Sequence, residues 1–230
     1  MRVDSDGRAS IPGVTAHRAN AYAKRSMDLV LAAAIGVIVL PLCLVAALGI
    51  GLTSPGPIFY VAKRVGRGGR PLAMYKFRTM QVDADRGSAI TAPSDSRVFP
   101  FGRFLRASKI DELPQLLNVL RGEISFVGPR PEDPRIVADH YDDELRASLE
   151  LTPGLTSAGT LFYMRNFAGA VQADDAERSY IANIMRPKLR MDMDYARTAN
   201  AFSDMRLVGA TAIFVVKHMM LRLVSGTTHE

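Results

Sequence analysis

Residues 29–52 read LVLAAAIGVIVLPLCLVAALGIGL, 24 positions without a charge and with one proline, Pro41, at the centre. As an α-helix such a run is about 36 Å long, against about 30 Å for the hydrocarbon core of a bilayer. It is too long for the apolar part of a cleaved leader, and a polar stretch precedes it. Two readings follow. A membrane-spanning helix accounts for the length. A re-entrant helix, which goes in and returns on one side, accounts for two other features. An interior proline removes a backbone hydrogen bond and clashes with the preceding turn, so the helix should kink or break at Pro41. Both flanks are basic, with Arg18, Lys24 and Arg25 before and Lys63, Arg64, Arg67 and Arg70 after. A spanning helix is instead oriented by an excess of Lys and Arg on one side. The residues alone leave the two readings level.

Charge points the same way as the apolar run. The chain of 230 residues carries a net +6, and residues 1–80 alone carry +8, from 11 basic and 3 acidic side chains. The remainder is near neutral at −2. A basic excess implies an anionic partner: nucleic acid, a phospholipid surface or a phosphorylated substrate. Its placement around an apolar run makes nucleic acid a poor candidate, although Tyr75-Lys76-Phe77-Arg78 interleaves cations and rings as single-strand binders do. One cysteine, Cys43, excludes a disulfide scaffold and a Cys-based metal site, and 4 scattered histidines show no ligand spacing.

Downstream, Ser54-Pro55-Gly56-Pro57 ends the apolar segment. Residues 58–61 and 72–77 are short, aromatic and β-branched, with Gly66-Arg67-Gly68-Gly69-Arg70 between them, which predicts a β-hairpin. Residues 82–98 read as a surface loop. Residues 113–120 have helical spacing, closed by Arg121-Gly122. Residues 136–151 and 176–198 predict amphipathic helices, the second kinked or divided at Pro187. Residues 205–224 are apolar but interrupted by Lys217, His218 and Arg222, which suits a helix lying in the membrane interface.

Two motifs could carry chemistry. Asp111-Glu112-Leu113-Pro114 places two carboxylates at or just before a helix start, because Pro favours the first helical position. The partial positive charge there, with Arg106 and Lys109 nearby, should favour the ionised form. Such a pair can simply cap a helix; it can also supply a nucleophile or a metal ligand. In Gly128-Pro129-Arg130-Pro131 the prolines restrict the backbone around a guanidinium suited to bidentate phosphate contact, and the plain alternative is a turn with a surface arginine.

The motifs also occur in a fixed order: Lys24-Arg25 with Asp28, Leu40-Pro41, Ser54-Pro55-Gly56-Pro57-Ile58-Phe59, Met74-Tyr75-Lys76-Phe77-Arg78-Thr79-Met80, Phe101-Gly102-Arg103-Phe104-Leu105-Arg106, Asp111-Glu112-Leu113-Pro114-Gln115-Leu116-Leu117-Asn118-Val119-Leu120 and Val127-Gly128-Pro129-Arg130-Pro131. The set resembles the bacterial sugar transferases, the monotopic polyprenyl-phosphate phosphoglycosyl transferases, from about Lys24 to Gly159 and more weakly from Asp192 to Leu207.

The resemblance implies transfer of a phospho-sugar from a nucleoside-diphosphate sugar, with a UDP-sugar expected, to polyprenyl (undecaprenyl) phosphate, releasing UMP. This would be the first membrane step of glycoconjugate assembly. It implies that Asp111 is the nucleophile of a covalent phospho-sugar intermediate and that Glu112 helps hold Mg²⁺. Lys76, Arg106 and Arg130 would face substrate phosphate, with Asp192 and Pro131 as further site residues. It implies an α+β, mostly helical fold: a tail over 1–23, a re-entrant membrane helix over 24–54 broken at Pro41, and a catalytic domain over 55–230 with interfacial helices. The expected location is the cytoplasmic face of the bacterial inner membrane, in contact with its lipids. The chain resembles the minimal catalytic form, and a homodimer is compatible with it. One segment departs from the pattern: Ser157-Ala158-Gly159-Thr160-Leu161-Phe162-Tyr163 stands where many relatives have Gly-Trp-Ala-Gln, which leaves the sugar open. The rival readings are a catalytically silent scaffold of the same fold and an anionic-lipid-binding protein.

Overall fold

A computed structural model describes residues 2–3, 9–10, 18–82, 95–166 and 176–224. Most of the loop expected over 82–98 and most of the tail expected over 1–23 lie outside the described residues; within the tail, β1 (Arg2–Val3) pairs antiparallel with β2 (Ala9–Ser10).

Helix α1 (Arg18–Thr53) takes in the whole apolar run and is long and apolar enough to cross a membrane. The break expected at Pro41 is absent: the helix continues through it. The turns on either side are held by packing, with Ala32 ahead and Ala46 and Ile50 behind all buried. The proline costs the helix one backbone hydrogen bond, which packing on both sides can offset. Much of the rest of α1 is bare; Val37 and Ile38 are each 76% exposed. A contiguous apolar surface of this kind marks a membrane or partner contact.

Both ends of α1 are fastened to one folded body. At the N-terminal end, Arg25 donates to the Val119 and Leu120 carbonyls at 2.6 and 2.7 Å, and Lys24 donates to the Val127 carbonyl at 3.0 Å. Asp28 accepts from the Phe126 N–H at 3.1 Å. At the C-terminal end, the buried Arg78 guanidinium donates to the carbonyls of Ser54 and Pro55. Gly49 lets α2 (Pro100–Ala107) pack tightly, since a Cβ there would lie 2.5 Å from the Phe101 ring.

The predicted hairpin forms. β3 (Phe59–Val65) pairs antiparallel with β4 (Pro71–Phe77), from Phe59 opposite Phe77 to Val65 opposite Pro71. Gly68 and Gly69 take φ of 67° and 74° in the connecting turn, a region open to glycine at little cost. Leu72, Met74 and Phe77 turn inward. Leu72 and Met74 join Ala32, Val119 and Ile124 in one core cluster; Phe77 joins Ala46, Ile50, Phe99 and Leu105 in a second. The outer edge of β4 is closed by a side chain: Asn118 accepts from the Tyr75 N–H at 3.1 Å and donates to the Ala73 carbonyl at 2.7 Å. An unpaired strand edge is otherwise a site for unwanted association.

The helix expected over 113–120 begins later. A 3₁₀ segment, Ile110–Gln115, contains Pro114, and α3 (Leu116–Arg121) follows, closed by Gly122 at φ 80° as the sequence predicts. A parallel pair, β5 (Ser125–Val127) with β6 (Gly154–Thr156), sets the backbone ahead of Arg130.

The single helix expected over 136–151 is divided into α4 (Pro134–His140), α5 (Asp143–Arg146) and a 3₁₀ turn, Ala147–Glu150. Asp133 and Asp142 are the cause. Each accepts from a backbone N–H, of Arg135 and of Leu145, at 3.0 Å, and so starts a new helix. Beyond α6 (Ala158–Asn166), the segment expected to kink at Pro187 does change there. It runs as α7 (Ala176–Ser179), a π-turn Tyr180–Met185, and α8 (Arg186–Thr198) with Pro187 in its first turn. α9 (Ala201–Val224) follows, with Phe202, Ile213, Val216 and Leu221 exposed.

Candidate active site

The 3₁₀ segment Ile110–Gln115 starts at Lys109, which holds φ 61°, a left-handed conformation uncommon outside glycine. Within the segment, Asp111 turns inward and is 7% exposed, while Glu112 faces a cluster of cations. Arg130 Nη2 donates to Glu112 Oε1 at 2.6 Å. The Lys76 and Lys109 ammonium groups both stand 3.8 Å from the same oxygen. These partners come from separate places in the chain: β4, the turn before the dyad, and the loop after β5.

Arg130 is placed by a close backbone crossing. A Cβ on Gly128 would lie 2.2 Å from the Thr152 carbonyl oxygen, and one on Gly154 would lie 2.2 Å from the Gly128 nitrogen. With both glycines bare, Gly128 N–H donates to the Thr156 carbonyl and Gly154 N–H to the Pro129 carbonyl, each at 2.9 Å. Pro131 follows in a buried position. The arginine therefore starts from a fixed main chain.

The two carboxylates are driven apart electrostatically. Burial opposes the Glu112 charge, yet Arg130, Lys76 and Lys109 together outweigh it and hold the group well below the usual carboxylate range. Burial, and then the Glu112 charge, push Asp111 up, against the pull of Lys76, Lys109 and Arg106. This reverses the sequence expectation that Asp111 sits in the more readily ionised state. Proximity to cations was visible in sequence; burial was not. Burial also lowers Lys76, while the Glu112 charge raises Arg130. A pair of titratable groups displaced in opposite directions is a frequent mark of a reactive site.

Lys76, Lys109 and Arg130 meet Glu112 directly, whereas Arg106 reaches the pair only through its charge on Asp111. In sequence Lys109 is only a neighbour of the dyad, and no local signal announces a left-handed lysine. Asp192 is elsewhere. It is buried in α8, accepts from the Gly159 N–H at 2.8 Å, and lines a cavity of about 220 Å³ together with Lys24, Ser157, Tyr195 and Asp204. Pro129 borders that cavity, one residue before the arginine that meets Glu112. Lys24 and Tyr195 both bond to Asp204 there. The departing segment 157–163 forms the start of α6, which Asp192 caps.

Behind the arginine, Tyr180 donates to Glu132 Oε2, and the buried Lys188 lies over the Tyr180 ring at 5.8 Å. Burial lowers Lys188, against the charges of Glu132 and Asp192.

Among the described residues, no three His, Cys, Asp or Glu side chains gather as a metal cage. Mg²⁺ is commonly held by one or two carboxylates together with substrate phosphate. The Asp111–Glu112 pair fits that pattern, and Asp111 Oδ1 is buried without a partner.

The family model for the bacterial sugar transferases matches residues 19–218. The chain is 39% identical over 193 residues to a UDP-glucose:undecaprenyl-phosphate glucose-1-phosphate transferase of Caulobacter vibrioides, covering 80% of this chain and 66% of that protein. It is 32% identical over 200 residues to the Escherichia coli protein of the same description, covering 84% and 40%. It is 44% identical over 123 residues to a Bacillus subtilis protein described as a putative undecaprenyl-phosphate N-acetylgalactosaminyl 1-phosphate transferase, covering 53% and 68%. The matched part is thus just under two thirds of the Caulobacter protein and about two fifths of the Escherichia coli one.

Proposed function

This chain belongs to the bacterial sugar transferase family, and on that premise we propose that it moves a phospho-sugar from a UDP-sugar to undecaprenyl phosphate, releasing UMP. The observation that carries the reading is the buried Asp111 beside a Glu112 held by three cations from three parts of the chain.

A carboxylate oxygen of Asp111 attacks the sugar-bearing phosphorus of the donor. The bond from that phosphorus to the bridging oxygen breaks, and UMP leaves with the electron pair. The product is an acyl phosphate joining Asp111 to the phospho-sugar. A phosphate oxygen of undecaprenyl phosphate then attacks the same phosphorus, forms undecaprenyl-diphosphate-sugar and returns Asp111 as a carboxylate. A covalent step of this kind lets a water-soluble and a lipid substrate use one site in turn.

An anion attacking a diphosphate meets charge repulsion, so placed cations are essential. Lys76, Arg106, Lys109 and Arg130 outnumber the two carboxylates and leave positive charge for the donor phosphates. Glu112, with substrate phosphate, would hold a Mg²⁺ ion that neutralises charge on the leaving group. Glu112 also keeps the arginine aligned when no substrate is present.

The lipid substrate requires a site at headgroup level. Here the support comes from α1. Its two ends bond to one folded body, while its apolar middle is exposed. Both ends would then lie on one side of the bilayer, and a re-entrant path would need the continuous helix to bend at Pro41. The basic flanks and the apolar face of α9 would rest on the cytoplasmic surface of the inner membrane.

The test is incubation of the purified protein with Mg²⁺, undecaprenyl phosphate and a panel of UDP-sugars. Release of UMP that depends on Asp111 is expected. No UMP from any donor would favour a silent scaffold or a lipid-binding protein.

A further inference from the structure

The cavity of about 220 Å³ takes no part in the reaction as described, yet it begins one residue from Arg130, because Pro129 forms part of its wall. Its least satisfied wall group is Asp192, which is 3% exposed. Asp192 Oδ1 accepts from the Gly159 N–H at 2.8 Å, while Oδ2 is buried and has no hydrogen-bond partner. The Ser157 hydroxyl beside it donates to Thr160 Oγ1 at 2.8 Å and leaves that oxygen unmet. A buried acceptor without a donor is destabilising. Capping α6 needs one oxygen only, and an asparagine would cap it as well. The fold therefore gives no reason for the second carboxylate oxygen.

The chemistry of the wall selects an occupant. Lys24 and Tyr195 both bond to Asp204, and Arg67 donates to the Glu150 carbonyl at 3.0 Å, so the cations are engaged. Two basic and three acidic residues line the space, a formal −1 that disfavours phosphate. Among the described residues no three ligating side chains gather, which gives a metal ion no cage. Much of the remaining wall is small and apolar, Ala158 and Ala196 included. A neutral ring that carries hydroxyls suits both parts: an O–H supplies the donor that Asp192 lacks, and the C–H face lies on alanine. A nucleoside-diphosphate sugar has such a ring on either side of its diphosphate, the transferred sugar and the ribose. We propose that this cavity binds a hydroxylated ring of the donor, with Asp192 accepting from a ring hydroxyl while Arg130 holds the diphosphate. The segment that departs from the family pattern, 157–163, supplies Ser157 and Ala158 to the same wall. The inference rests on the reading of the chain as a UDP-sugar transferase.

The experiment measures binding. The full chain in lipid nanodiscs, with Mg²⁺ and in an Asp111→Asn background that stops transfer, is titrated calorimetrically with UDP-glucose, UDP-N-acetylgalactosamine and UDP. Asp192→Asn keeps an oxygen for the Gly159 N–H and turns the other position into a donor. Ala196→Leu fills the cavity from α8 and leaves Asp192 in place. Each is expected to weaken binding of the UDP-sugars by about 10- to 100-fold, the scale of one hydrogen bond to a charged group. The melting temperature should stay near the parent's. Unchanged affinity for UDP identifies the ring as the transferred sugar; an equal loss for UDP identifies it as the ribose. Parent-like affinity for all three ligands in either variant, while it stays folded, overturns the inference. So does weakening that appears only together with a lowered melting temperature in both variants, since that is a structural role. UMP release by the chain with Asp111 intact is followed alongside. If no UDP-sugar yields UMP, the transferase reading fails and takes the inference with it. If UMP is released while the variants bind donor as the parent does, only the assignment of the cavity fails.

Discussion

Arg130 meets Glu112 Oε1 at 2.6 Å across 18 residues of sequence, and the fold places the guanidinium by a glycine crossing. A charge-assisted bond of this length aligns the cation before any substrate arrives. Arg130→Ala is expected to lower kcat for UMP release by about 10²- to 10³-fold, the scale of losing one donor to a developing negative charge. Arg130→Lys should recover only part of this, because an ammonium keeps the charge and loses the planar fork. Steady-state kinetics on both variants checks it; equal activity in the alanine variant would remove Arg130 from the site.

The opposed titrations of the dyad give a pH signature. Asp111 is pushed up, so the attacking form is depleted as pH falls through its raised pKa, and the rate falls with it. The Glu112 charge is the second cause of that rise, after burial. Glu112→Gln removes it and leaves the cations uncompensated, and both changes favour ionised Asp111. The acid limb should move to lower pH even as the plateau rate drops by about 10²-fold. Single-turnover rates across pH 5–9 decide it.

The same burial has a stability consequence. A carboxyl whose pKa is raised on folding binds more protons in the folded state, so stability grows as pH falls through the raised value and levels off below the unfolded one. At neutral pH the protein therefore carries an uncompensated cost at Asp111. Asp111→Asn should melt at an equal or higher temperature than the parent at pH 7.5, while releasing no UMP. The difference should shrink toward pH 4, and thermal unfolding at both pH values measures it.

Gly128→Ala tests the crossing that places Arg130. Its Cβ would lie 2.2 Å from the Thr152 carbonyl oxygen, backbone that cannot swing aside. The β5–β6 pair must separate, at about 1–3 kcal/mol. For a chain of this size that lowers the melting temperature by about 2–4 °C per kcal/mol. Activity should fall further than stability, because Arg130 moves with the strand.

The attachment of α1 at both ends predicts its topology. With Cys43 replaced by Ser, Asn20→Cys and Val65→Cys introduced one at a time should both label from the same side of sealed vesicles. Labelling from opposite sides would establish a spanning helix.

How far the sequence could be read depended on whether the signal was local. The hairpin around Gly68-Gly69 and the closure at Gly122 were legible, because turn glycines act within a few residues. Asp133-Pro134 and Asp142 also signal helix starts, and reading them as caps would have divided residues 136–151 correctly. The dyad was legible as a motif, but its electrostatics were not. Whether Asp111 is buried depends on β4, α2 and α1 closing over the turn, and residue spacing does not report that. Asp192, expected as a further site residue, accepts from the Gly159 N–H at the start of α6 and lines a cavity with Lys24 and Asp204. Gln115 and Asn118 lie in the same apolar run, LPQLLNVL; Asn118 closes a strand edge, while Gln115 is left without a partner. Two polar residues in a core-facing helix were a visible signal, but only the fold separates their roles.

The two-ended attachment of α1 also fixes a height. A domain on one flexible tether would sample a range of distances from the bilayer, whereas one gripped at Lys24–Asp28 and again at Ser54–Pro55 has no such freedom. With α1 seated in a bilayer as proposed, its depth would set the level of Asp111 above the lipid. Under the proposed activity, acceptor capture would become a lateral, two-dimensional search, with the vertical coordinate already matched. Bilayer thickness, through the seating of α1, would therefore tune the second half-reaction and leave the first, with its water-soluble donor, nearly untouched.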